Sequence, residues 1–198
     1  MLRILLIRPG ATEFDEQGRI QGTLDIPLSH DGRRQVDEVI AAVQDVAMDA
    51  IYSSPCQAAQ QTAEALAALR GLKARPLEKL HNLNQGLWQG MLISDVKTKQ
   101  PKVFRQWQEQ PERVCPPQGE TLLGAKQRIA EVLRKLLKKH KLAGSIAIVA
   151  PEPLATVIRH VLCQDDLADL WQTCLGCGKW ETVEVDVALA GRAALGDG

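Results

Sequence analysis

The chain opens on a short apolar run, Leu2 to Ile7, broken only by Arg3, which reads as a strand buried on both faces. After a polar loop, Ser29 with Asp31 and Gly32 marks a helix start, and Val36, Val39, Ile40 and Val43 recur at helical spacing behind it. Asp49 to Ser53 is a second short strand, and Ala58 to Leu69 an alanine-rich helix without Gly or Pro. Leu72 to Leu80 holds a further strand, which Pro76 confines to a sheet edge. Residues 81–120 carry several Gly and Pro together with Trp88 and Trp107, and are expected to form an insertion over the pocket end of a sheet. From Glu120 to Lys139 the pattern is strongly helical. Leu122, Ile129, Val132, Leu133 and Leu136 form one stripe, set against Lys126, Glu131, Arg134 and Lys138. The basic run Arg134 to Lys141 complements the dipole at that helix's end and reads as solvated. Ser145 to Ala150 is the next buried strand, Leu154 to Cys163 a helix, and Glu181 to Val187 an alternating strand.

Strands alternating with helices predict an α/β fold, a three-layer α/β/α sandwich around a largely parallel central sheet. One domain is expected over residues 1–190, with 191–198 as a frayed tail. Ligands of such sheets bind beyond the carboxyl ends of the strands, which directs attention to Arg8-Pro9-Gly10, Ser53-Ser54-Pro55 and the stretch from Ala150 to Pro153.

Composition narrows the function. Among 198 residues, 24 Lys and Arg balance 24 Asp and Glu, so the electrostatic drive toward nucleic acid or an anionic membrane is missing. No apolar stretch approaches the roughly 20 residues of a spanning helix, and the N-terminus lacks the layout of a signal peptide, so a cytoplasmic protein is expected. The five cysteines have irregular spacing, and free thiols are the expectation. Cys174 and Cys177 alone have ligand-like spacing, but no second pair completes a zinc site, and Gly176 and Gly178 fit a turn equally well. No metal or cofactor is expected.

The loops carry a resemblance. Leu5-Leu-Ile-Arg-Pro-Gly-Ala-Thr-Glu-Phe-Asp15, then Gly18 to Gly22 and Asp25 to Ser29, resembles the start of the histidine phosphatase superfamily, the phosphoglycerate mutase-like proteins. Asp49 to Pro55 running into Gln61-Thr-Ala-Glu64, Leu83 to Gly90, Pro117 to Thr121, and Ile146 to Ala150 running on to Arg159 are similar to its later blocks, in order. The resemblance implies a phosphoglycerate mutase-like fold.

It also exposes departures. Where the family has its nucleophilic histidine this chain has Pro9; where it has a second arginine, Ala58; where it has an acid, Asn82; and where it has a second histidine, Pro151. Of the residues that do the family's chemistry, only Arg8 stands. Proline has no heteroatom in its side chain, alanine no cation, and asparagine no proton to deliver at neutral pH. Loss of a nucleophile commonly costs on the order of a millionfold in rate. The expectation is therefore a pseudophosphatase with no catalytic residue, acting by binding or through a protein partner. Arg8, Asp15, Gln21, Gly22 and Asn82 are the residual ligand-binding candidates, with Arg8 either holding a weakly bound small molecule or pairing internally with Asp15. The helix after Pro153 offers its free N–H groups to a weak anion or a carbonyl.

Two alternatives stand beside this reading. One is a phosphatase-like or mutase-like hydrolase with altered chemistry, drawing on His81, Glu13 or Cys56; the other is a small-ligand sensor built on Arg8. His30, His140 and His160 read as surface or packing residues, whereas His81 lies beside Asn82 in the loop nearest the expected pocket. A homodimer is an open arrangement.

Overall fold

The computed structural model describes residues 1–140, 144–167, 169–171 and 176–185. Among these residues five strands form one sheet: β1 (Leu2–Ile7), β2 (Ala50–Ser53), β3 (Ala74–Pro76), β4 (Gly144–Val149) and β5 (Trp180–Val185). Their order is β3-β2-β4-β1-β5, parallel throughout except for β5, which runs antiparallel to β1. Pro76 lies in the edge strand β3, as its missing N–H requires.

Helices α2 (His30–Ala42) and α3 (Gln57–Arg70) cover one face of the sheet, and α6 (Leu122–Lys139) and α7 (Leu154–Cys163) the other. The apolar run of β1 divides between them by the two-residue period of a strand. Leu2, Ile4 and Leu6 enter the core beneath α6 and α7, while Leu5 and Ile7 enter the one beneath α2 and α3. The short helices α1 (Glu13–Glu16), α4 (Ile93–Lys99) and α5 (Pro101–Glu109) lie in the connections. Trp88, Trp107, Trp171 and Phe104 form one aromatic cluster, and the Trp171 indole donates to the Phe104 carbonyl at 3.1 Å.

The helix limits follow local chemistry. Thr121, not Glu120, caps α6, its hydroxyl accepting from Gly124 N at 3.1 Å. Ser29 caps α2 in the same way through Gly32 N. α3 ends on Gly71 in the left-handed conformation, with φ of 62°. The tail at 191–198 and Cys174 fall outside the described residues.

Beyond β1 the chain crosses toward β2, and beyond β4 it crosses to the opposite side, toward β5. The carboxyl ends of the neighbouring strands β1 and β4 therefore form the switch point at which open α/β sheets take their ligands.

Candidate functional site

Three strand ends supply the site. Arg8 and Pro9 follow β1, Ser54 follows β2, and Pro151 and Glu152 follow β4. The ladder continues one residue past each strand, with Ala150 N donating to Ile7 O at 2.9 Å and Ser54 N to Val149 O at 2.8 Å. Pro9 and Pro151 are buried at the ends of this ladder, and Ala58 is buried in the first turn of α3.

Arg8 does not pair with Asp15. Its Nε lies 2.5 Å from Glu152 Oε1 and its Nη1 2.9 Å from Glu181 Oε1. Burial opposes the guanidinium charge, but these two carboxylates outweigh it and raise the Arg8 pKa above its ordinary value. Asp15 is instead held by Thr12, whose N–H and hydroxyl both donate to Oδ2, at 2.8 and 2.7 Å. That is a capping box at the start of α1, and its signal is visible in the sequence as Thr12 followed three residues later by an acid. Burial nevertheless pushes the Asp15 carboxyl upward, against the bonds from Thr12. Gln21 stands beside them, its Oε1 3.3 Å from the Thr12 hydroxyl.

Asn82 is buried and ties three segments together. Its Nδ2 donates to the Glu152 carbonyl at 3.0 Å, and its Oδ1 accepts from Leu83 N and from Leu154 N, at 2.9 and 3.2 Å. The N-terminal N–H groups of α7, expected to await an outside anion, thus have internal partners. Leu154 N goes to Asn82, Ala155 N to the Pro151 carbonyl, and Thr156 N to Glu152 Oε2. Sequence reasoning missed Glu152 and Glu181. The available signal was an acid beside Pro151, three residues past the end of β4.

Two spaces result. Arg8, Pro9, Thr12, Asp15, Gln21, Ala58, Pro151, Glu152 and Cys177 enclose a cavity of about 10 Å³, room for one water at most. Next to it, Gly22, Thr23, Asp25, Ser54, Pro55, Cys56, His81 and Asn82 line an open groove of about 110 Å³. The ligand-binding candidates are therefore split, with Arg8, Asp15 and Gln21 on the closed cavity and Gly22 and Asn82 on the groove.

In the groove, His81 Nδ1 lies 2.9 Å from the Asn82 carbonyl oxygen. A carbonyl only accepts, so Nδ1 carries the proton and Nε2 of the neutral ring carries the lone pair. Cys56 also lines the groove, but burial pushes its thiol pKa up, away from the reactive thiolate. Asp25 is engaged at the start of α3, accepting from Gln57 N at 2.7 Å and from Gln57 Nε2 at 3.0 Å. Glu13 is exposed and lines neither space. Elsewhere, His140 meets Tyr52, His160 Nδ1 meets the Asp165 carbonyl, and the His30 side chain is fully exposed. Among the described residues no His, Cys, Asp or Glu cluster is placed to hold a metal ion, and no helix is long and apolar enough to cross a membrane.

Comparison with known proteins carries this geometry further. Phosphoserine phosphatase 1 of Hydrogenobacter thermophilus is 29% identical over 177 residues, covering 89% of this chain and 82% of that protein. Among solved structures, Bacillus stearothermophilus YhfR superposes with a TM-score of 0.82 at 24% identity, covering 94% of this chain and 92% of the other. Mycobacterial glucosyl-3-phosphoglycerate phosphatase, in complex with VO3, also gives 0.82 at 24% identity, with 92% of each chain covered. These likenesses establish the phosphoglycerate mutase-like α/β sandwich. Relatives named for an activity include these phosphatases and probable phosphoglycerate mutases, which overturns the expectation of a pseudophosphatase. The sequence model of the histidine phosphatase superfamily (branch 1) matches residues 4–188, and the chain belongs to that family.

Proposed function

We propose that this protein is a phosphoric monoester hydrolase of altered chemistry, whose reaction is centred on His81 in the open groove and not at Pro9. The observation that carries the reading is the 2.9 Å contact of His81 Nδ1 with the Asn82 carbonyl, which leaves a basic nitrogen on a ring lining the groove. The relative size of the two spaces supports it, since a phosphoryl group has no room in a cavity that holds a single water.

The chemistry that fits is base-assisted hydrolysis. Water attacks phosphorus as its proton passes to His81 Nε2, the bond from phosphorus to the ester oxygen breaks, and the imidazolium returns that proton to the departing alkoxide. One histidine acts first as base and then as acid, so atoms and protons balance. Arg128 holds the ring's backbone in place, with Nη1 donating to the carbonyls of Lys79 and His81 at 2.7 and 2.9 Å. Asn82 and Gly22 border the same space. The relative named a phosphoserine phosphatase supports a small phosphomonoester as the substrate class.

The test is phosphate release by pure protein from a panel of phosphomonoesters, run beside His81→Gln. Sustained release that falls about a hundredfold or more in the variant is expected for loss of a general base. No release above buffer from any ester, or a rate indifferent to His81→Gln, overturns the proposal.

A further inference from the structure

We propose that Glu152 is the resident occupant of an anion seat between Arg8 and the N-terminus of α7. Its carboxylate fills the place that a small oxyanion takes once the carboxylate is removed, and so bars the wild-type protein from binding one there. The proposal concerns binding, and it stands whether or not His81 turns over an ester.

The two oxygens of Glu152 divide their work as a bound oxyanion does. Oε1 lies 2.5 Å from Arg8 Nε, and Oε2 accepts from Thr156 N, in the first turn of α7, at 3.1 Å. A guanidinium on one side and a helix-terminal N–H on the other are the standard donors to phosphate and carboxylate. The seat is also closed, since only 14% of the Arg8 side chain and 8% of the Glu152 side chain are exposed, and the cavity beside them holds no more than a water. An oxyanion therefore has to replace the Glu152 carboxylate, because it has no space alongside it.

Tethering decides that competition. The Glu152 backbone is fixed by the bond from Asn82 Nδ2 to its carbonyl, so the carboxylate is presented to Arg8 intramolecularly. Even a short flexible tether gives an effective concentration in the millimolar range, and a fixed one gives more. Free phosphate at ordinary concentrations loses to it. Glu181, 2.9 Å from Arg8 Nη1, stays in place when Glu152 is truncated and keeps the guanidinium oriented.

The experiment is thermal unfolding of wild type, Glu152→Ala and the double variant Arg8→Ala/Glu152→Ala, each titrated with inorganic phosphate against chloride of equal ionic strength. Glu152→Ala is expected to start less stable and to gain stability with phosphate in a saturable way. The folded-to-unfolded ratio should rise about a hundredfold at phosphate one hundred times its Kd. Wild type is expected to respond no more than the double variant, which keeps the His81 groove and lacks Arg8. Formate, a free copy of the missing carboxylate, is expected to stabilise Glu152→Ala as well. If Glu152→Ala does not fold, Glu152→Ser takes its place, because a serine hydroxyl can accept from the exposed N–H of α7 while leaving Arg8 uncovered. A folded variant that responds to phosphate no more than the double variant overturns the proposal, and so does a saturable response in wild type that exceeds the double variant's.

Discussion

The Tyr52 hydroxyl lies 2.8 Å from His140 Nε2, fastening β2 to the end of α6 across the lower core. The rings meet edge to face, 5.7 Å between centroids. Burial lowers the His140 pKa, and the neighbouring Lys139 charge lowers it further. A histidine whose folded-state pKa is depressed favours the native state while it is neutral. That stability is fully present above the ordinary histidine value and is lost as pH falls through it toward the lower folded value. Tm is therefore expected to fall between pH 8 and pH 5, and His140→Gln should remove part of that fall. Tyr52→Phe should cost about 0.5–1.5 kcal/mol at neutral pH, read by urea unfolding.

Gly10 and Gly32 are packed backbone to backbone where the loop after β1 crosses α2. A Cβ on Gly10 falls 2.0 Å from the Gly32 carbonyl oxygen, and one on Gly32 falls 2.0 Å from the Ala11 carbonyl oxygen. Neither obstacle is a flexible side chain, so the backbone itself has to move. Gly10→Ala and Gly32→Ala are each expected to cost about 1–3 kcal/mol, a Tm loss of several degrees in calorimetry.

The fold was legible because its signals are local and periodic. The apolar runs of β1 and β4 announce strands covered on both faces, Pro76 announces an edge, and the stripe from Leu122 to Leu136 announces α6. The site was legible in part. The strand ends were located correctly, and the prolines and Ala58 were seen, but the partners of Arg8 were not. Glu152 and Glu181 lie 144 and 173 residues away in sequence, and only the adjacency of β1 to both β4 and β5 brings them to Arg8. By sequence Asn82 stands in place of the family's acid, without a proton to deliver, and is a ligand-binding candidate, whereas in the structure its amide is a bracket between its own loop and the start of α7. A side chain's donor and acceptor pattern shows what it is able to bind, and tertiary placement decides what it does bind.

Asp15 carries an opposite pH signature to His140. Its carboxyl is pushed up by burial, despite the bonds from Thr12. An acid with a raised folded-state pKa favours the native state while protonated, so its contribution is present below the ordinary aspartate value and is lost as pH rises through the folded one. Asp15→Asn keeps an oxygen for the Thr12 N–H and hydroxyl while removing the charge. The variant is expected to be at least as stable as wild type at pH 7 and to lose the acid-side gain. Parallel denaturant unfolding at pH 4 and pH 7 measures both.

Asn82 supplies the sharpest contrast between a family position and a structural one. Restoring an acid there removes the Nδ2 donor and sets a negative oxygen against the Glu152 carbonyl, in a residue only 2% exposed. Asn82→Asp retains an acceptor for Leu83 N and Leu154 N, so the loss isolates the donor bond and the new charge. It is expected to cost about 1–3 kcal/mol at pH 7. Protonating the introduced carboxyl returns a donor, so the deficit should shrink as pH falls toward 4. Asn82→Ala leaves both N–H groups without that acceptor and should cost at least as much at every pH. Urea unfolding of the three proteins across that range separates the two effects, and a deficit in Asn82→Asp that does not change with pH would mean that the Glu152 carbonyl does not depend on this amide.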